Sequence, residues 1–134
     1  MSTAKKKAAA SLIWFEIPAD NIERAKKFYS ALFGWKIAPF PGMTRPEAQH
    51  YLHIDTSGPD ASPDGGIMKR RHPQQPITNY VAVPSVTTFM AKVKKLGGKV
   101  RVPKTAVMQM GYFAVCQDTE GNVFALWERN EKAK

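Results

Sequence analysis

The alternation of apolar and polar residues along the first half of the chain predicts a strand, a helix and three more strands. The apolar run Leu12–Ile17 predicts a buried strand that ends at Pro18. Asp20 is the expected helix N-cap, apolar residues at helical spacing follow it, and Gly34 predicts a left-handed cap at the helix end. The three further strands are expected at Trp35–Phe40, Gln49–Asp55 and Gly66–Arg70.

The second half repeats this order of elements after a proline-containing connector, His72–Pro76. A β-rich run, Tyr80–Val83, is followed by Ser85 as the expected N-cap of an amphipathic helix. Gly97 and the residue after it predict the end of that helix. Three strands are then expected at Lys99–Val102, Tyr112–Cys116 and Val123–Trp127.

The two predicted helices have the same apolar face when one is shifted by 64 residues, the difference between Val86 and Ile22. The same shift pairs Gly34 with Gly98, and internal duplication explains this agreement most simply. The sequence therefore predicts an α+β fold built from two βαβββ modules. We expect one domain at 11–129 with modules at 11–72 and 77–129, a disordered basic tail at 1–10 and a second tail at 130–134.

Composition is typical of a folded protein that stays in a reducing compartment. The chain has 134 residues, of which 43% are hydrophobic and 23% charged. Its single cysteine, Cys116, can form no internal disulfide and is expected to be a small core residue. The apolar run near the start is too short to span a bilayer, so we expect a cytoplasmic protein with no membrane partner.

The formal net charge of +9 attracts anions, although a basic soluble surface explains it most simply. An alternative hypothesis is a basic module for nucleic acid or for an acidic protein. The cations that motivate it are Lys69, Arg70, Arg71, Lys92, Lys94 and Lys95. Because the sequence carries no recognition-helix, zinc-finger or RNA-binding signature, nucleic acid is not the expected partner.

Four segments resemble one known superfamily in the correct order. They are FEIPADNIERAKKFYSALFGW (Phe15–Trp35), the glycine pair of Gly65-Gly66-Ile67-Met68, LGGKV (Leu96–Val100) and DTEGNVFALWE (Asp118–Glu128). This pattern resembles the vicinal oxygen chelate superfamily of glyoxalases, bleomycin resistance proteins and dioxygenases, especially its FGW-containing glyoxalase-like subset. The resemblance implies mixed sheets curled around a cleft, a small-molecule ligand and a homodimer. In catalytic members it also implies a divalent metal such as Zn, Ni, Mn or Fe.

The resemblance places the four metal-ligand positions at Trp14, near Met68, at Asn79 and at Ala125. Indole and methyl groups cannot coordinate such an ion and a carboxamide does so weakly, so we predict no metal and no other cofactor. The alternative is a metal-dependent lyase, isomerase or dioxygenase that uses Glu16 with His50 or His53. On a regular strand those two histidines would face opposite sides.

Strand alternation places Trp14 and Glu16 on one side of the first strand, facing the cleft. Glu16 is the candidate catalytic residue, and a structural salt bridge is the alternative interpretation of its carboxylate. The leading hypothesis is a metal-free protein that binds a small apolar or aromatic molecule; the competing interpretation is that these aromatic residues only fill the core. The predicted ligand-binding residues are Trp14, Met68, Asn79, Val81, Met110, Tyr112, Ala125 and Trp127.

Overall fold

A computed structural model describes residues 10–41, 49–58 and 62–134 of the chain. Its contacts divide the chain into two compact units, residues 14–78 and residues from 79 onward, with residues 10–13 grouping with the latter. We call the βαβββ unit that contains most of the former the first module and the one that contains most of the latter the second module. The predicted tail at 1–10 lies, apart from Ala10, outside the described residues.

Each module contains one helix and four strands in the predicted βαβββ order. The first has β1 (Ser11–Ala19), α1 (Ile22–Phe33), β2 (Lys36–Ala38), β3 (Tyr51–Asp55) and β4 (Asp64–Lys69). The second has β5 (Thr78–Ala82), α2 (Val86–Lys95), β6 (Lys99–Val107), β7 (Gly111–Gln117) and β8 (Val123–Arg129). The prediction of an α+β fold with two such modules is confirmed.

The strands of the two modules pair in the same pattern. In the first module the strand order is β2-β3-β4-β1, and in the second it is β6-β7-β8-β5. The first and last strands of each module pair in parallel, whereas the other pairs are antiparallel. Identical topology in both halves supports the duplication that the helix pattern predicted.

The prediction that Pro18 ends β1 is wrong, because the strand continues to Ala19 and Pro18 pairs with Met68 in the parallel ladder to β4. Residues of a parallel strand bond to a given neighbour in alternation. Ala19 makes the contact with β4, since its carbonyl accepts from the backbone N–H of Arg70 at 2.9 Å. Pro18 therefore needs no N–H toward β4, and a proline is tolerated there.

The N-cap of α1 is Asn21 rather than the predicted Asp20. Asn21 has an extended backbone, and its side-chain oxygen accepts from the N–H of Arg24 at 2.9 Å. Asp20 instead accepts from the Arg70 guanidinium at 2.9 Å. Ser85, the predicted cap of α2, does accept from the N–H of Thr88 at 3.1 Å.

With Asn21 as the cap, the shift of 64 residues relates the N-caps Asn21 and Ser85 but not the helix ends. The C-cap of α2 is Leu96, and the left-handed glycine after it is Gly97 rather than Gly98. Gly34 ends α1 in the left-handed conformation, at φ 76°, as predicted. Its N–H donates to the carbonyl of Ser30 at 2.9 Å. A residue with a Cβ would be strained at this φ, which explains the glycine.

Each module has its own hydrophobic core between the helix and one face of the sheet. Burying each large side chain there stabilises the fold by about 1.5–3 kcal/mol. The core of the first module contains Ile17, Ala19, Ile37, Leu52, Ile54 and Ile67, with Phe15, Ile22, Ala25, Tyr29 and Trp35 packed against it. The core of the second contains Val83, Val86, Ala114, Cys116 and Leu126. Because side chains alternate along a strand, the residues between these face away from the helices.

The predicted tail at 130–134 folds back onto the turn between β6 and β7. The N–H of Gln109 donates to the carbonyl of Ala133 at 2.9 Å, and the N–H of Asn130 donates to Met110 at the same distance. Ala133 is consequently almost fully buried. No helix in the described part of the chain has the length and hydropathy needed to cross a membrane.

Candidate functional site

The sheet face of the first module that points away from α1 carries aromatic rings together with polar side chains. Phe15 and Ile17 pack on the helix side, so Trp14 and Glu16 project from the opposite face, which we call the open face. Both are half-buried. The prediction that these two residues share the side away from the helix is confirmed.

A chain of two hydrogen bonds crosses the open face. The indole Nε1 of Trp14 donates to the hydroxyl of Tyr51 at 2.9 Å. The Tyr51 hydroxyl in turn donates to Oε2 of Glu16 at 2.7 Å. The Tyr51 hydroxyl thus acts as donor and acceptor at once, which fixes the orientation of the phenol and of the indole.

The Tyr51 ring can cross β4 because residue 66 is glycine. A Cβ at Gly66 would lie 2.4 Å from three atoms at the hydroxyl end of that ring, far inside contact distance. A Cβ at the preceding Gly65 would lie 2.5 Å from the carbonyl oxygen of Phe15 and 2.7 Å from its ring. Gly66 therefore makes room for Tyr51 and Gly65 for Phe15, which explains why both positions are glycine.

His53 and Asp64 form a second polar pair on the open face. Nε2 of His53 lies 3.2 Å from Oδ2 of Asp64, whose other oxygen accepts from the N–H of Thr56 at 3.1 Å. The side chains of His53 and Asp64 remain 29% and 37% exposed, so a solute can reach them. Sequence reasoning considered His53 only as a metal ligand, because its pairing with Asp64 depends on how β3 and β4 are joined.

Three rings on the open face lie beneath the ring of Phe40. Trp14 and His53 are parallel within 3°, with ring centroids 5.9 Å apart. Phe40 stacks on Trp14, Tyr51 and His53 with centroid distances of 6.1, 5.9 and 5.1 Å and interplanar angles of 23–26°. This face therefore already accommodates one flat aromatic ring.

Met68 is the third predicted residue on the open face, since it pairs with Tyr51 across the β3–β4 ladder. It is buried, and its sulfur accepts a weak hydrogen bond from Nε2 of Gln75 at 3.6 Å. Sequence analysis had not identified Phe40 or Tyr51 as site residues. Alternation along β3 could have indicated Tyr51, but the position of Phe40 after β2 has no periodic signal.

In the second module, Ala125 and Trp127 lie on the sheet face away from α2, as predicted, and Ala125 is fully buried. Val81 and Tyr112 do not: both pack against the helix-side core. Their prediction as lining residues is corrected. For Val81 the alternation was right but β5 was assigned the wrong face, whereas Tyr112, expected to close over the cleft, lies on β7 and packs on the helix side.

Asn79 shares the side of Val81, because it pairs with Phe124, which also packs on the helix side. It is exposed at that side rather than next to Ala125. Met110 lies in the turn between β6 and β7 with 60% of its surface exposed. The structure thus provides no support for Asn79 or Met110 as lining residues.

Under the duplication, the strand registers shift two of the four positions at which the resemblance places metal ligands. Ile17 pairs with Ile67 in the first module and Val81 pairs with Leu126 in the second, at the same place in the duplicated pattern. Three residues before Ile17 and Val81 are Trp14 and Thr78, so Thr78 rather than Asn79 is equivalent to Trp14. One residue before Ile67 and Leu126 are Gly66 and Ala125, so Gly66 rather than Met68 is equivalent to Ala125.

An indole, a hydrogen atom, a hydroxyl and a methyl group do not fit a divalent ion, which needs carboxylate, imidazole or thiolate ligands. Among the described residues, no group of three or more His, Cys, Asp or Glu side chains could hold a metal ion. In the alternative set, Glu16 accepts a hydrogen bond from Tyr51, and His53 pairs with Asp64 through Nε2. His50 precedes β3 in an exposed turn.

Several cations of the predicted basic surface make contacts within the chain. Nζ of Lys69 donates to the carbonyl of Asp20 at 3.0 Å, and Arg70 binds the Asp20 carboxylate and the carbonyl of Gln75. Lys92 lies 4.7 Å from the centre of the Phe89 ring. The positive charges of Lys69 and Arg70 are therefore explained by contacts that hold neighbouring segments of the chain together.

Cys116 is fully buried in the core of the second module, as predicted. Burial raises the pKa of its thiol above the ordinary value, because desolvation disfavours the thiolate. A neutral buried thiol is a poor nucleophile.

The duplicated βαβββ topology and the helix-flanked mixed sheets define a protein of the glyoxalase, bleomycin resistance protein and dioxygenase class. A solved structure of that superfamily from Vibrio splendidus has a TM-score of 0.59 and 12% identity, covering 90% of this chain and 99% of its own. A hypothetical protein from Bacillus halodurans has a TM-score of 0.66 and 14% identity over 95% of this chain and 99% of its own. Residues 11–45 match the family model described as bleomycin resistance protein-like N-terminal.

A glyoxylase-like domain-containing protein of Didymella fabae is 33% identical over 123 residues, which are 87% of this chain and 92% of that protein. The chain therefore belongs to the glyoxalase-like family of the vicinal oxygen chelate superfamily. The CFP32 protein of Mycobacterium tuberculosis, whose name places it provisionally among the glyoxylases, is 29% identical over 125 residues. The match covers 87% of this chain and 45% of that longer protein.

Proposed function

We propose that this glyoxalase-like protein binds a small aromatic molecule on the open face of the first module, without a metal ion. The observation that carries the proposal is the set of near-parallel rings, in which Phe40 stacks on Trp14, Tyr51 and His53. An aryl ligand would take the place of the Phe40 ring. Phe40 thus marks the position and the plane of the ligand.

The energetics of stacking favour a flat ligand at this position. A stacked aromatic pair contributes about 0.5–1.5 kcal/mol beyond the burial of its area. A ligand ring that contacts the same three partners as Phe40 would gain a comparable stacking free energy. Because Trp14 and Tyr51 are held by hydrogen bonds, little side-chain freedom is lost when the ligand binds.

In this proposal Glu16, the candidate catalytic residue, positions the aromatic surface. Its carboxylate accepts from the Tyr51 hydroxyl, and that hydroxyl holds the Trp14 indole. Metal independence is supported by the side chains at the four duplicated positions, which lack suitable ligand atoms.

Tryptophan fluorescence tests the proposal with planar aromatic probes such as naphthalene derivatives. We expect these probes to quench the fluorescence of Trp14. The variant Trp14→Phe keeps an aromatic ring but removes the reporter, so quenching should largely disappear while binding measured by calorimetry persists. The matched control Trp127→Phe should quench like the parent protein.

Two results would contradict the proposal. The first is the absence of quenching across a broad aryl panel. The second is quenching that persists unchanged in Trp14→Phe, since the bound probe would then lie elsewhere.

A further inference from the structure

The His53–Asp64 pair has the arrangement of a proton acceptor held in place by a carboxylate. An ionised carboxylate only accepts hydrogen bonds, so we assign the hydrogen of the 3.2 Å contact between His53 and Asp64 Oδ2 to Nε2 of His53. The neutral imidazole then leaves Nδ1 without a hydrogen and with a free lone pair. Within the described parts of the chain, no donor lies at hydrogen-bond distance from Nδ1.

The Asp64 carboxylate is itself held in place by hydrogen bonds to Thr56. Its Oδ1 accepts from the N–H of Thr56 at 3.1 Å and is 3.4 Å from the Thr56 hydroxyl. The carboxylate therefore orients the imidazole through one oxygen while the loop after β3 fixes the other. A group held in this way can stabilise an imidazolium without moving.

The His53 ring is also part of the aromatic surface. It is parallel to Trp14 within 3° and lies 5.1 Å from the centre of Phe40. A ligand ring in the place of Phe40 would thus lie against a base as well as against an indole. No other aromatic residue of the open face offers an unused acceptor nitrogen, because the Trp14 N–H is a donor only.

We propose that His53 Nδ1 accepts a proton from the ligand, so that the open face selects aryl molecules bearing a weakly acidic O–H or N–H group. In this step the O–H or N–H bond of the ligand breaks and an N–H bond forms at Nδ1. The ligand stays bound as an anion next to the imidazolium, whose Nε2–H remains hydrogen-bonded to Asp64. The step rests on the proposed function, since it needs an aryl ligand on the open face.

The charged and titratable groups around His53 are consistent with a positive charge forming there. On the same face of the sheet are Glu16 on β1, Asp55 on β3 and Asp64 on β4. On β2, Lys36 is a cation on that face and pairs with Asp55 of β3. The Tyr51 hydroxyl is occupied by Trp14 and Glu16 and so does not compete for the ligand proton.

The experiment compares para-nitrophenol with its methyl ether, para-nitroanisole, which has no acidic proton. Both are titrated into the full-length protein somewhat below the pH at which the free phenol ionises. Binding is measured by tryptophan quenching, and ionisation by the absorption band of the phenolate. We expect the phenol to bind about tenfold more tightly than the ether, as a charge-assisted hydrogen bond provides, and to show the phenolate band when bound.

His53→Gln keeps a donor for Asp64 but removes the basic nitrogen. This variant should bind the phenol and the ether equally and should lose the phenolate band. His72→Gln is the matched control, because it makes the same replacement at an exposed histidine outside the open face. It should behave like the parent protein, whose net charge of +9 it shares at neutral pH.

Equal affinity for the two probes in the parent protein, or a phenolate band that survives in His53→Gln, would overturn the inference. In either case, quenching by the ether would leave the proposed function standing. If neither probe binds, both proposals fail. Should His53→Gln not fold, Asp64→Asn decides: loss of the phenolate band with retained ether binding supports the inference, and an unchanged band overturns it.

Discussion

Gly66 shows how a single missing side chain can organise a site. The Tyr51 ring occupies the space that a Cβ at this position would need, and from there its hydroxyl reaches Glu16 and Trp14. The glycine pair was visible in the sequence as part of the family resemblance. Which glycine serves which face could not be read from it, because that depends on the register between β3 and β4.

We predict that Gly66→Ala weakens aryl binding by about tenfold, because the new methyl group displaces Tyr51 and breaks its hydrogen bonds to Trp14 and Glu16. Gly65→Ala is the matched comparison. Its methyl group would instead meet Phe15 on the helix side, so it should lower the free energy of unfolding by about 1–3 kcal/mol. Calorimetric titration and urea unfolding separate the two effects. Equal loss of affinity in both variants would contradict this assignment of the faces.

The ring of Phe40 lies where we propose that the aryl ligand binds. If its ring occupies the ligand position, Phe40→Ala removes an internal competitor and should raise aryl affinity by about three- to tenfold, since each stacked pair contributes about 0.5–1.5 kcal/mol. Phe28→Ala is the control, because Phe28 is an exposed phenylalanine on α1 of the same module. Weaker binding in Phe40→Ala would show that Phe40 is a wall of the site instead.

At the scale of the elements, periodicity predicted existence and order better than ends and faces. All ten helices and strands in the described residues correspond to predicted segments, yet β1 runs past Pro18 and α1 is capped one residue later than expected. Neighbouring polar residues such as Asp20 and Asn21 both suit a cap by composition. In the structure Asp20 engages Arg70, a residue from a distant segment, and Asn21 provides the cap.

Alternation along strands was equally informative and equally limited. It placed Trp14 and Glu16 together, and the structure agrees. It also placed Val81 with the lining residues, although Val81 belongs to the helix-side core. A strand pattern gives the period but not the side, so an error of one residue in the anchor at Ser85 reverses the face.

The caps provide a prediction at this scale. Asn21→Ala should lower the free energy of unfolding by about 1 kcal/mol, because the N–H of Arg24 loses its acceptor. Asp20→Ala should cost less, since it removes an ion pair in which the Asp20 side chain is 71% exposed. Urea denaturation of both variants measures the difference. A larger loss of unfolding free energy in Asp20→Ala than in Asn21→Ala would indicate that Asp20, as predicted from the sequence, is the N-cap.

At the scale of the whole molecule, the repeated topology made the family recognisable from sequence. A shift of 64 residues relates the N-caps and the apolar faces of the two helices, and the strand order of the modules is identical. The homodimer and the cytoplasmic location implied at the outset stay predictions. The fold alone does not specify a reaction, because the superfamily name covers glyoxalases, bleomycin resistance proteins and dioxygenases. The residues of the site determine the chemistry.

We propose that the aromatic face of the first module binds its ligand without a metal ion. The most direct test is an aryl titration monitored by tryptophan fluorescence, carried out on protein dialysed against a chelator and on the same protein with added Zn, Ni, Mn or Fe. We predict the same dissociation constant in every sample, with the quenching lost in Trp14→Phe. Binding that vanishes with the chelator and returns with a divalent ion would contradict the claim.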